Sequence, residues 1–67
     1  MKYIGLHRPD GATAEVQVHN ELIYQVRLTF PKMTSYVDHR YDGCKPEPAI
    51  EQMESWGWIR HRGYSES

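Results

Sequence analysis

The sequence has few of the features that define secreted or membrane proteins. Its 67 residues include a single cysteine, Cys44, so no disulfide can form within the chain. Residues 1–5 carry no apolar signal-peptide core, and no run reaches the about 18 apolar residues expected of a membrane span. We therefore expect one domain, residues 1–67, in a reducing cytoplasm and without membrane contact.

The chain also lacks an excess of either charge. Its formal net charge is −1, with eight Lys and Arg against nine Asp and Glu. Nucleic acids and anionic membranes attract proteins through a strong positive field, which this composition does not provide. The charge balance therefore argues against bulk attraction to either partner.

Motifs for metal binding and catalysis are likewise missing. No two histidines lie within ten residues of each other, and Asp38-His39 followed by Cys44 is only a partial cluster. Zinc sites that can be read from a sequence place their ligands in close pairs. There is no glycine-rich phosphate loop, nucleophile elbow or Walker pattern. We predict no metal, no cofactor and no enzymatic activity.

What the sequence does have is a strongly alternating segment, residues 22–30. Every second side chain is apolar, which predicts a half-buried strand. One face would carry Leu22, Tyr24, Val26, Leu28 and Phe30. A strand this apolar on one face must be covered by another element, and most of the fold prediction follows from that need.

Two further strands are predicted before it, at residues 2–7 and 14–18. Pro9-Asp10-Gly11 joins them as a turn, because proline presets φ, aspartate bonds its own backbone and glycine takes the left-handed position. The alternation continues through Asn20, which we interpret as a tight turn rather than a bulge in one long strand. Three antiparallel strands in a meander result.

The remainder predicts a loop, a helix and a last strand. Residues 32–45 have the poorest pattern, with a short edge strand at 34–39 as the alternative to a loop. A helix is predicted at about 47–56, ended by Gly57, and a strand at 58–62. The apolar stripe of this helix contains Ala49, Ile50, Met53 and Trp56. The predicted fold is α+β: a small antiparallel sheet of three to four strands with one helix on one face.

The most distinctive composition lies at the C-terminal end of the chain. Alternation there predicts that Ile59 points inward and that Trp58, Arg60 and Arg62 point outward. Aromatic side chains mixed with arginines commonly dominate protein interfaces, and they also bind single-stranded nucleic acid. The predicted contact set is Trp58, Arg60, Arg62 and Tyr64 on the last strand, with Tyr36, Arg40 and Tyr41 on the loop.

A second surface feature is acidic. Glu47, Glu51 and Glu54 share one side of the predicted helix, where they form either its solvated face or a negative patch for a basic partner. We predict a small protein-binding module that inhibits or regulates a larger protein machine, a role frequent among phage and mobile-element accessory proteins of this size. The alternatives are single-stranded nucleic-acid binding through the same aromatic and arginine residues, and a self-associating subunit or homodimer.

Overall fold

A computed structural model describes residues 2–61 and shows a five-stranded antiparallel sheet with one helix. The strand order across the sheet is β4-β3-β2-β1-β5. The α+β prediction is confirmed. The sheet has five strands rather than the predicted three to four, because the segment that could have been a loop pairs as a strand and the last strand also joins the sheet. The elements are β1 (Lys2–His7), β2 (Thr13–His19), β3 (Leu22–Phe30), β4 (Met33–Asp38), α1 (Pro46–Ser55) and β5 (Ile59–Arg60).

The core lies between the helix and one face of the sheet. Leu6 of β1, Val16 of β2 and Val26 of β3 are each at most 1% exposed, and Ile50 of the helix is fully buried among them. Burial of these side chains is the main favourable term in folding, at roughly 25 cal/mol per Å² of apolar surface. The predicted packing of helix on sheet is therefore present.

The opposite face of the sheet is polar. A short ladder crosses it, in which the Gln17 side-chain amide donates to Glu15 Oε1 at 2.9 Å and the Gln25 amide donates to Gln17 Oε1 at 3.0 Å. Arg27 lies on this face, since it alternates along β3 with the buried Val26 and Leu28. This face is the one that the helix does not cover.

The β1–β2 connection is the predicted turn. Asp10 Oδ1 accepts a hydrogen bond from the Ala12 backbone N–H at 3.0 Å, and Gly11 has φ +95°. A Cβ at Gly11 would also lie 2.9 Å from Pro31 Cγ, so glycine is required there by both conformation and space. The aspartate and glycine act as the sequence predicts.

The β2–β3 connection contains both a tight turn and a bulge, the two alternatives that the sequence pattern allowed. Asn20 and Glu21 have φ of 53° and 65°, as in a two-residue type I′ hairpin, so the predicted turn is confirmed. A bulge follows within β3, because Gln17 pairs with Gln25 but Val18 pairs with Ile23, which leaves Tyr24 as the extra residue.

This bulge corrects the predicted orientation of the start of β3. Ile23 is buried at 2% exposure, whereas Leu22 and Tyr24 are 41% and 55% exposed. The inserted residue reverses the alternation, so the predicted inner face holds only from Val26 onward. The prediction assumed unbroken alternation, which a bulge does not preserve.

Residues 31–45 contain a strand and a series of turns. β4 is the edge strand considered as the alternative, shifted by one residue from the predicted 34–39. Beyond it, the chain folds back against the start of β3. The Ile23 N–H donates to Cys44 O, and the Gly43 N–H donates to Ile23 O, each at 2.8 Å. This segment therefore covers the part of β3 that β4 does not reach.

The geometry at the end of the helix buries Trp58 and leaves Trp56 exposed, which is the reverse of the prediction. The Gly57 N–H donates to Glu54 O at 3.1 Å and the Trp58 N–H donates to Met53 O at 3.2 Å, which is the Schellman pattern, with Gly57 at φ +101°. This motif brings Trp58 beside Met53 in the core. Trp56 is 56% exposed, so its predicted place in the buried stripe is wrong, while Ala49, Ile50 and Met53 are buried as predicted.

Candidate functional site: an aromatic cleft beside the edge strand

A cleft of about 200 Å³ opens on the helix side of the sheet, between β3–β4 and the end of α1. Its apolar base includes the buried side chains of Val26, Leu28 and Met53. Five aromatic side chains and three charged ones complete the lining: Phe30, Tyr36, Tyr41, Trp56, Trp58, Arg8, Asp38 and Arg40. Antiparallel pairing of Leu28 with Tyr36 and of Val26 with Asp38 places β4 alongside this base.

Aromatic rings form the walls of the cleft. Phe30 and Tyr36 stack with their centroids 5.9 Å apart and their planes 19° apart. Tyr36 and Trp56 are 48% and 56% exposed, so both have surface available for a ligand. The Phe30–Tyr36 stack follows from the β3–β4 hairpin, whereas Trp56 comes from the turn after the helix.

Arg8 closes one end of the cleft. Its guanidinium carbon lies 5.0 Å from the Trp58 ring centroid and 5.8 Å from that of Phe30. Arg8 Nη2 also forms a salt bridge with Asp10 Oδ2 in the β1–β2 turn. The hydrogen bond between them raises the pKa of Arg8 and lowers that of Asp10. Arg8 is thus fixed by a turn on one side and by two aromatic rings on the other.

Asp38 and Arg40 form the second charged pair of the cleft. Asp38 is 9% exposed because it occupies an inward position on β4, opposite Val26. Arg40 donates to Asp38 Oδ2 from Nη2 at 2.7 Å and from Nε at 3.0 Å, and its backbone N–H donates to Oδ1 at 2.9 Å. The Arg40 hydrogen bonds outweigh the effect of burial, so the pKa of Asp38 is lowered.

The variant Asp38→Asn is expected to lower the free energy of unfolding by about 1 kcal/mol at neutral pH, since a charge-assisted pair is lost. Asp38 has a lowered folded pKa, so its carboxylate stabilises the fold above the ordinary value of 3.8. That contribution is lost as pH falls through the lower folded value. Urea unfolding of wild type and variant across acid pH should show the gap shrinking.

Asp10→Asn is the matched control, because the Asp10 carboxylate is exposed and its bond to Arg8 should contribute less. If the difference in unfolding free energy between wild type and Asp38→Asn stayed constant down to strongly acid pH, the ionised Asp38 carboxylate would not be what stabilises the fold.

The structure brings four of the seven predicted contact residues to the cleft: Tyr36, Arg40, Tyr41 and Trp58. The expected outward orientation of Trp58 is wrong, since it is 8% exposed and Ile59 is 47% exposed. The Schellman turn, rather than the alternation of a strand, determines which of these two residues is buried. Trp58 contributes a wall of the cleft and not a projecting side chain.

Of the other three predicted contact residues, only Arg60 belongs to the described residues, and it is not part of the cleft lining. Arg60 lies on β5 and its Nη2 donates to Glu47 Oε2 at 3.0 Å, which ties the last strand to the start of the helix. Arg62 and Tyr64 lie outside the described residues. The acidic set Glu47, Glu51 and Glu54 is exposed, as a solvated helix face requires.

Four of the aromatic and charged cleft residues are not in the predicted contact set: Arg8, Phe30, Asp38 and Trp56. Arg8 precedes a turn, and nothing in its neighbourhood signals contact with Phe30 and Trp58. The sequence predicts Phe30 on the inner face of β3 and Trp56 in the apolar stripe of the helix, and it places Asp38 only in the partial metal cluster. The sequence signal for the exposure of Trp56 is Gly57, because a Schellman end places its apolar contact at the residue after the glycine, here Trp58, and not at the residue before it.

Residues 2–61 contain no group of three or more His, Cys, Asp or Glu that could hold a metal ion. Pairs of such residues are present: the ring centroids of His7 and His61 lie 4.6 Å apart, and His39 Nδ1 lies 2.7 Å from Asp42 Oδ2. None of the described helices has the length and apolar character needed to cross a bilayer.

Comparison of the chain with protein-family models, with curated proteins and with solved structures gives no match. Function is therefore inferred from the cleft itself. Its base is apolar, its aromatic walls are partly exposed, and each of its two arginines is paired with an aspartate of the same chain.

Proposed function

We propose that this chain is a non-enzymatic protein-binding module that receives an apolar side chain of its partner in the aromatic cleft. The observation that carries the proposal is the combination of a buried apolar base with exposed Tyr36 and Trp56 at the opening. Interface energy concentrates in such pockets, and tryptophan, tyrosine and arginine are the residues that most often supply it.

The size of the cleft supports a protein rather than a small-molecule ligand. Its volume of about 200 Å³ is below the roughly 300–1,000 Å³ of pockets that enclose drug-sized molecules. One large side chain with part of its backbone suits a cleft of this size. A module this small would then act by occupying a surface of a larger protein, as an inhibitor or regulator.

Capture from a lysate of the native host cell tests this proposal. Wild-type protein, Tyr36→Ala and Trp56→Ala are used as baits, with Ile59→Ala as the matched control because Ile59 is similarly exposed on a different surface. We expect proteins retained by wild type and by Ile59→Ala to fall at least about tenfold on both cleft variants, as for an interface hot spot. Equal retention on all four baits would exclude the cleft as the contact surface.

Self-association is a second candidate, favoured by the position of β4. This strand of six residues forms one edge of the sheet, and its Met33 is 65% exposed. Edge strands can pair with a second copy. The bulge between β3 and β4 opposes such pairing, because a distorted edge is a poorer template. Sedimentation equilibrium that shows a monomer at high micromolar concentration would exclude this candidate.

A further inference from the structure

We infer that the partner segment is acidic: its bulky apolar side chain enters the aromatic cleft, and carboxylates beside it bind the outer edges of Arg8 and Arg40. This inference rests on the proposed protein-binding function and adds the chemistry of the partner. Its basis is the way in which each of the two guanidinium groups binds an aspartate of its own chain.

Both arginines use the same edge to bind their own aspartate. Arg8 engages Asp10 through Nε and Nη2, and Arg40 engages Asp38 through the same two nitrogens. Arg40 Nε also lies 3.2 Å from Asp38 Oδ1, and within residues 2–61 no residue other than these two aspartates accepts a hydrogen bond from either guanidinium. A guanidinium has five N–H donors. The edge formed by Nη1 and the outer N–H of Nη2 can therefore donate two parallel hydrogen bonds to a second carboxylate.

Each guanidinium also lies near at least one aromatic ring. Arg8 lies over Trp58 and Phe30, and the Arg40 guanidinium carbon is 5.9 Å from the Tyr41 ring centroid. A flexible arginine loses side-chain entropy when it binds, whereas these two are already held by an aspartate and a ring. The side chain of Arg40 is 70% exposed, so its outer edge is open to a ligand. Arg8 is less open, at 33%.

Charge favours a short acidic segment over a nucleic acid. The positive charge of each arginine is offset by its aspartate, and the chain as a whole has a net charge of −1. The exposed glutamates of the helix would add repulsion toward an extended polyanion. Hydrogen bonds to one or two carboxylates depend on the local geometry of the donors and not on a strong overall positive charge. The outer guanidinium edges of Arg8 and Arg40 provide such donors.

The test is selection from a random peptide display library on immobilised wild-type protein, after which the binding of each enriched peptide to Trp56→Ala and to Arg40→Gln is measured. We expect the enriched peptides to carry Asp or Glu next to a bulky apolar residue. Replacing those acids by amides should weaken binding at least about tenfold in fluorescence anisotropy, as expected for loss of a charge-assisted pair. Arg40→Lys should recover only part of the binding, because lysine lacks the planar edge.

Arg27→Gln is the matched control, since Arg27 is exposed on the opposite face of the sheet. It should leave the selected peptides and their affinity unchanged. Circular dichroism and urea unfolding confirm that each variant is folded before binding is compared.

The possible failures of the two proposals differ. Peptides that require Trp56 but are indifferent to Arg40 and carry no acids would overturn the acidic-partner inference and leave the protein-binding function standing. If no enriched peptide depends on Trp56, both proposals fail. A labelled single-stranded oligonucleotide that bound more tightly than every selected peptide, with dependence on Arg40, would overturn the inference in favour of nucleic acid.

Discussion

Trp58→Ala is expected to lower the free energy of unfolding by about 3 kcal/mol or more, the usual cost of deleting a buried tryptophan. Trp58 is 8% exposed, belongs to the core cluster and supports Arg8 at one end of the cleft. Its removal leaves a cavity and takes away one of the two aromatic rings over which the Arg8 guanidinium lies. Urea unfolding followed by far-ultraviolet circular dichroism measures the change.

Trp56→Ala is the matched control for this prediction. The residue type is the same and only one residue separates the two positions, but Trp56 is 56% exposed. It should cost less than about 1 kcal/mol of stability while weakening partner binding. Trp58→Phe should keep the fold and lose a smaller part of the stability, which guards against a variant that fails to fold. An equal loss of unfolding free energy for Trp56→Ala and Trp58→Ala would contradict the burial of Trp58 and the exposure of Trp56.

Ile50→Ala is expected to have the second large effect, a loss of about 3 kcal/mol. Ile50 is fully buried, and it lies in the middle of the helix that covers the sheet. The helix contributes three buried side chains, Ala49, Ile50 and Met53, so shortening the largest removes much of the packing between the two layers. In a chain of this length the total stability is of the order of 3–10 kcal/mol.

Two companion variants make this test informative. Ile50→Val should cost about 1 kcal/mol, because one methylene is lost. Glu51→Ala, at the next position but exposed, should change stability by no more than about 0.5 kcal/mol. The expected order of unfolding midpoints is wild type and Glu51→Ala, then Ile50→Val, then Ile50→Ala. Similar midpoints for Ile50→Ala and Glu51→Ala would mean that the helix does not stabilise the sheet.

Local chemistry made much of the fold predictable from the sequence. Asp10 and Gly11 define the first turn because a side-chain oxygen and a left-handed residue are needed there, and Asn20 marks the second for the same conformational reason. Gly57 marks the helix end. Each of these signals acts over a few residues, so a single sequence contains all of the information needed to read it.

Only part of the cleft could be predicted, because its lining comes from segments far apart in the chain. Tyr36, Arg40 and Tyr41 were identified from their residue types. Arg8 was not, since its contact with Trp58 joins positions separated by fifty residues and no local pattern encodes it. The strand order and the path of the chain after the helix determine which side chains meet in the cleft.

The sequence by itself determined the α+β class, the positions of the turns and the side of the helix that is buried, because periodicity and turn chemistry act locally. Tertiary structure decided the rest. A single inserted residue at Tyr24 turned Leu22 outward and Ile23 inward, and the Schellman end buried Trp58 in place of Trp56. In both cases a shift of one or two residues in backbone geometry reversed which side chain faces the core, and only packing of the whole domain selects that geometry.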